Sequence, residues 1–279
     1  MFRIIARKIS VYTTIAYFYM RRAFARHPRC KKRWTFDYDA KQTFGQWIAG
    51  IPSDKVFVHV ALSSVNRFSE TKKAYPWLRD LLLKHFSTVS SQAFTPGVRK
   101  TKVFDPDKEV PAYGAFARLF FKDMGFRNHD PCYSIMAIGG DSFREEDFSF
   151  SPNGIFRQMI EQDFYCINIG LEYVTCSVMH FVEYEQQVPY LRFFDDTYYI
   201  QSGKATRKIN YPVHDNRGAY SVKGYVWWNK LRLMKDLSNT GIVQSVNIKG
   251  VRLYGFGMRQ LYDFVTRKVQ SDPFYLIKW

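Results

Sequence analysis

Three short stretches of this 279-residue chain carry side chains able to do chemistry. The first is His59, on an apolar run that leads into Ser63 and Ser64. The second is the polar stretch Arg127-Asn128-His129-Asp130-Pro131-Cys132-Tyr133-Ser134. The third is Ser177-x-x-His180-x-x-Glu183. Residues three apart on a helix share a face, so Ser177 meets His180 and His180 meets Glu183. An imidazole oriented by a carboxylate is a general base that works near neutral pH. The same spacing also fits a structural histidine beside an acid. Core packing or a salt bridge would equally account for Arg127 and the serines, and a buried, hydrogen-bonded histidine for His59. The four cysteines (Cys30, Cys132, Cys166, Cys176) form no CxxC pair and no zinc-ligand spacing. GxSxG, HExxH, a Walker A loop and GxGxxG are absent, which argues against hydrolase, zinc-protease, P-loop and dinucleotide-binding chemistry.

Hydrophobic patterning predicts the elements that must position these residues. A helix over 37–51 leads into a buried strand over 55–62 that carries His59. Further strands are expected at 88–94, 134–138 and 164–169, the last ending at Gly170. Helices are expected at 76–86, at 112–124, and from Ser151 as N-cap with Pro152 following, to about 162. Residues 176–184, with His180, read as helix, and 100–111 as loop. Residues 190–200 and 205–213 alternate like paired strands. A helix near 228–237, strands within 242–254 and a helix over 258–269 complete the body. Strands alternate with helices and no repeat or internal linker appears, so one α/β domain is expected.

Composition narrows the class. Hydrophobic residues make up 46%, which excludes global disorder. No apolar run reaches the roughly 18 residues that suggest a membrane span. The net charge is +16, but the first 34 residues hold ten of the 41 Lys+Arg and none of the 25 acids, leaving +6 for the rest. We therefore divide the chain into a basic arm, 1–34, and a domain, 35–279. Within the arm, Ile9 to Met20 is apolar and aromatic and is flanked by basic clusters. A signal peptide is disfavoured by Arg21, Arg22 and Arg26 and by the lack of a small-residue cleavage site. Two readings stay open: a helix resting on anionic lipid, or one packed on the body with a solvated basic face. A mildly basic body without an RNA or DNA motif implies no nucleic-acid partner. Cysteines outside any disulfide framework fit a reducing compartment, so a cytoplasmic protein is expected, with the arm able to hold it at the inner membrane face.

The order of the motifs resembles the aminoglycoside 3-N-acetyltransferase family. Val58-His59-Val60-Ala61-Leu62-Ser63-Ser64 is similar to its VHxSL strand. Phe104-Asp105-Pro106, followed by Pro111 to Arg118, is similar to its FDPxxxPSxxGxxxExxR stretch. Arg127 to Ser134 resembles RSxHPxxS, Ser151-Pro152 resembles SPL, and Ser177 to Glu183 resembles TxxHxxE. Asp272-Pro273-Phe274 fits the end of the pattern, and the resemblance spans about 36–279. Val60 and Ala61 stand where the family has serine-type residues, Asn128 replaces a serine, Asp130 replaces a histidine, and the family's glycine-threonine strand start near residue 88 is missing.

This resemblance implies a single α/β domain with a central mixed β-sheet flanked by helices. It implies acetyl transfer from acetyl-CoA to an amine, without an acyl-enzyme and without a metal. His180 becomes the catalytic base, with Asp215 or Glu183 as the acid that orients it. His59, Ser63, Ser64, Arg127, Ser134 and Ser177 become candidates for holding the acyl donor. A body of +6 suits a polycationic drug poorly, so a nucleotide- or lipid-linked amino sugar of surface polysaccharide assembly is the favoured acceptor. Antibiotic resistance and a non-catalytic membrane-associated scaffold are the alternatives. The arm gives a test of its own: anionic vesicles should pellet the full chain and not a chain lacking 1–34, and equal pelleting would end the lipid reading.

Overall fold

The computed structural model describes residues 36–70, 73–139, 143–216, 220–221 and 227–277, together with positions 5, 9–13, 16 and 20 of the arm. The arm's basic residues lie outside the described residues. Among the described ones Val11 is buried, whereas Ile9, Tyr12 and Met20 are exposed. No described helix is long and apolar enough to cross a membrane.

Helix α1 (Tyr38–Ala49) starts at Asp37, whose Oδ1 accepts from the Ala40 amide at 2.9 Å. It buries Ala40, Phe44 and Ile48, a stripe spaced by four residues. Strand β1 (Lys55–Val60) follows, then the short helix α2 (Leu62–Val65), α3 (Ala74–His85) and β2 (Thr88–Gln92). After α4 (Val98–Thr101) and β3 (Val103–Phe104) come α5 (Ala115–Phe120), β4 (Phe126–Arg127) and β5 (Ile135–Ile138). Then come α6 (Ile155–Glu161), β6 (Tyr165–Ile169), α7 (Val178–Glu185), β7 (Leu191–Ser202) and β8 (Ala205–Asn216). The order ends with α8 (Lys230–Ser238), β9 (Gln244–Ile248), β10 (Val251–Gly257) and α9 (Met258–Ser271).

Seven strands form a mixed sheet in the order β4-β5-β2-β1-β6-β10-β9. The three central strands β2, β1 and β6 are parallel, and the outer pairs are antiparallel. Side chains of a strand alternate between faces, and both faces are apolar. Val56, Val58, Ile167 and Ile169 share one core with Phe44 of α1 and Leu78 of α3. Phe57, Cys166 and Phe256 share the opposite core with Met159 of α6, Phe181 of α7 and Phe264 of α9. The result is the expected central mixed sheet between helical layers. A second sheet, β3-β7-β8, closes a smaller core of Phe104, Tyr198, Tyr211 and Val213.

Three local expectations are corrected. Residues 100–111 are not all loop: Phe104 is fully buried, and β3 pairs parallel with β7. The helix expected over 112–124 is confined to Ala115–Phe120, because Gly114 at φ +84° reverses the chain and Arg118 bonds the Pro111 and Ala112 carbonyls. Ser151 is not an N-cap. It lies in a turn in which its carbonyl accepts from the Gly154 amide, and Gly154 precedes the helix.

Gly170 joins β6 to the segment leading to α7, at φ +70°. A β-carbon there would lie 2.4 Å from Ser64 Cβ. Gly170→Ala should therefore cost about 2–4 kcal/mol through the backbone penalty and the clash. Thermal unfolding should show a midpoint lowered by roughly 5–10 °C.

Candidate active site

The parallel strands β2, β1 and β6 end at Gln92, Val60 and Ile169, and α7 begins over their carboxyl ends. This is the edge at which α/β sheets leave room for ligands. Ser177, just before α7, reaches back with its hydroxyl to Gln92 Oε1 at 3.3 Å, tying the helix to β2. The tie is short because Asn168 holds the loop before it, with Oδ1 accepting from the Thr175 amide at 2.6 Å and Nδ2 donating to the Thr175 carbonyl at 2.8 Å.

One turn into α7, His180 Nδ1 lies 2.9 Å from Glu183 Oε2. Glu183 is buried, and its other oxygen accepts from Tyr190 Oη at 2.8 Å and Trp228 Nε1 at 2.7 Å. A carboxylate only accepts, so Nδ1 is the donor, and in the neutral imidazole the lone pair is on Nε2. The His180 side chain is 34% exposed, so its free nitrogen can meet solvent or substrate. The Trp228 ring packs on the imidazole, with centroids 4.5 Å apart.

Of the two acids expected to orient His180, the structure places Glu183 there. Asp215 is on β8, where its described partners are Arg99, at 3.5 Å, and Arg192, at 3.2 Å. Both are cations, and one of them sits across the hairpin register from it. The residues proposed for the acyl donor separate as well. Ser63 is exposed on α2, and Ser64 Oγ reaches the Gly170 carbonyl at 3.5 Å. Arg127 is a correction, because its guanidinium is buried and already occupied by the carbonyls of Pro106, Glu109 and Ala93 and by Ser134 Oγ. Burial lowers its pKa to about 10 despite nearby carboxylates. Ser134 is likewise buried, bonding Ala93, so this pair braces the β2–β5 end. His59 is buried on β1 against Phe57, and its Nε2 has no hydrogen-bond partner. Burial, then the charge of Lys230, pushes its pKa down to about 3.

The two family departures in the polar stretch have structural roles. Buried Asp130 accepts from the amides of Cys132, Tyr133 and Ser149 and from Tyr211 Oη. Asn128 accepts from the Ile135 amide and donates to Ser149 Oγ. Together they hold Tyr133, whose hydroxyl accepts from Arg99 at 2.8 Å and whose ring stacks on His214 at 4.6 Å. His214 lies 6.3 Å from His180 between ring centroids. It is buried, and neither ring nitrogen has a partner. Sequence reasoning missed His214, Tyr190 and Trp228. Each reaches the site from a distant element, and no local spacing marks them.

The family match places the protein among the acetyl-CoA-dependent N-acetyltransferases. Residues 57–270 match the model of the aminoglycoside 3-N-acetyltransferase family, and the chain belongs to that family. The apoenzyme of aminoglycoside acetyltransferase AAC(3)-IVa is 14% identical and superposes with a TM-score of 0.62, covering 88% of this chain and 93% of that one. AAC-IIIb, in its binary complex with CoASH, is 15% identical with a TM-score of 0.65, covering 83% and 96%. The YokD protein from Bacillus subtilis is 13% identical with a TM-score of 0.63, covering 85% and 94%. Identities this low show a shared fold. No curated protein matches the chain in sequence.

His214 makes the site's acid limit testable. Burial, then the charges of His180 and Arg99, hold its pKa well below the ordinary 6.5. The unfolded chain takes up a proton below pH 6.5 that folded His214 refuses. This contribution to stability is therefore complete above 6.5 and falls with pH below it, by up to about 1.4 kcal/mol per unit. Denaturant unfolding of His214→Phe at pH 7.5 and 5.0 should show an acid loss about 2 kcal/mol smaller than the wild type shows.

Proposed function

We propose that the protein transfers the acetyl group of acetyl-CoA to the amine of an amino sugar, with His180 as general base. The observation that carries this reading is the His180–Glu183 pair. Its carboxylate is buried and triply hydrogen-bonded, while the imidazole's other nitrogen stays accessible. His180 Nε2 takes a proton from the acceptor amine as that nitrogen attacks the thioester carbonyl. The new C–N bond forms, the C–S bond breaks, and the imidazolium returns its proton to the CoA thiolate. Glu183 holds the tautomer and stabilises the imidazolium, as a positioning residue. Ser63, exposed in the turn after β1, is the best placed of the expected residues to meet the donor.

For the acceptor, the charge distribution favours one amine on a neutral or anionic carrier, such as a nucleotide- or lipid-linked sugar. Three carboxylates of α7 and β8 already have cations or donors: Glu183 as above, Asp215 with Arg99 and Arg192, and Glu185 with Arg157. A polycation would find few unpaired acids there. The exposed Ile9, Tyr12 and Met20 support an arm that holds domain 35–279 at a membrane surface where such carriers are used.

Calorimetry should show saturable one-site binding of acetyl-CoA, unchanged in His180→Ala, while acetyl transfer by that variant falls about 10²–10⁴-fold. Glu183→Gln should lower kcat with little change in KM for acetyl-CoA. A nucleotide-linked amino sugar should surpass gentamicin in kcat/KM. Strong preference for gentamicin would instead assign drug resistance, and absent turnover with every amine would favour a scaffold.

A further inference from the structure

Two of the cysteines meet a histidine in the core, although nothing in their spacing announces it. His59 on β1, Cys166 on β6 and Cys176 just before α7 each offer a ligand atom, and these atoms all lie within 4.8 Å of one another. The three residues are buried and both thiols are free. His59 Nε2 is an unpaired buried nitrogen, a condition that costs about 1–3 kcal/mol unless something fills it.

Two thiols and an imidazole make a soft donor set, which suits Zn²⁺ and Cu⁺ and rejects Mg²⁺ and Ca²⁺. Zn–S bonds of about 2.3 Å and Zn–N bonds of about 2.1 Å place such tetrahedral ligands about 3.6–3.8 Å apart. Shifts of about 1 Å would close the cluster on an ion. Asn168 Nδ2 donates to Cys166 Sγ at 3.5 Å while bracing Thr175, the residue before Cys176. Lys230 lies nearby, its Nζ 3.5 Å from Thr175 Oγ1.

We propose that His59, Cys166 and Cys176 form a buried site for a thiophilic cation, Zn²⁺ above all, that cross-links β1, β6 and the segment leading into α7. Binding replaces the two thiol protons with one Zn²⁺ and leaves imidazole neutral, so the loaded cluster carries no net charge. The role is structural: the ion fastens the base of the helix that bears His180, and acyl transfer needs no metal. The site is independent of which acceptor the enzyme uses.

The test uses the full chain, reduced and stripped with a chelator under anaerobic conditions. Titration with Co²⁺ should saturate at one equivalent, with thiolate-to-cobalt charge-transfer absorption in the near ultraviolet. Zn²⁺ should displace the cobalt, raise the thermal midpoint and protect Cys166 and Cys176 from alkylation in peptide mass maps. Cys176→Ser should weaken uptake at least 10-fold and reduce the charge-transfer band. If that variant fails to fold, the alkylation map of the native chain decides. No stoichiometric uptake, a cobalt spectrum unchanged by Cys176→Ser, unprotected thiols, or a metal-free Cys166–Cys176 disulfide in the protein as isolated would each overturn the proposal.

Discussion

The site depends on one buried carboxylate. Glu183 is held away from water, and a lone carboxylate in that position would be strongly disfavoured. Three donors make the position tenable: His180 from its own helix, Tyr190 from the turn after α7, and Trp228 from just before α8. The same contacts that satisfy the charge also select the imidazole tautomer. One of the contacts that hold Glu183 in the core therefore also sets the orientation of His180.

The rest of the structure supplies the platform. Parallel central strands need helical crossovers, and these bury both faces of the sheet. The strand ends must then accommodate α7. Ser177 bonds β2, Asn168 bonds the loop, and Gly170 lets the backbone pass against Ser64. On the other side, the long β7–β8 hairpin brings His214 and Asp215 toward the site, with Arg99 bridging between Tyr133 and β8. Asp130 replaces a histidine in the family's pattern, yet it organises the Tyr133 loop with four hydrogen bonds. A family departure has thus become a structural support that also sets the wall beside His180.

Local patterns made much of this readable from the chain. Alternation and apolar runs located the central strands, and the helix pattern over 37–51 located α1, because those features depend on neighbours within one turn or one strand. The spacing of His180 and Glu183 also carried its meaning locally, since helix geometry fixes which residues share a face. Where the expectations failed, a distant contact had overruled the local signal. Residues 100–111 read as loop, but Phe104 is buried and β3 pairs with the distant β7. Asp215 reads as a spare acid but is held by Arg99 and Arg192.

By itself, then, the sequence determined the α/β class, the basic arm, the family motifs in order and a helix-borne histidine with a nearby acid. Only the tertiary structure decided which acid meets that histidine, what buries that acid, and which donors are already occupied, as with Arg127. It also decided that His214 and Trp228 flank His180, and that His59, Cys166 and Cys176 share one pocket of the core. The physical reason is range. Periodicity and capping are set by residues a few positions apart, whereas burial and hydrogen-bond satisfaction are settled among groups as far apart in the chain as Glu183 and Trp228.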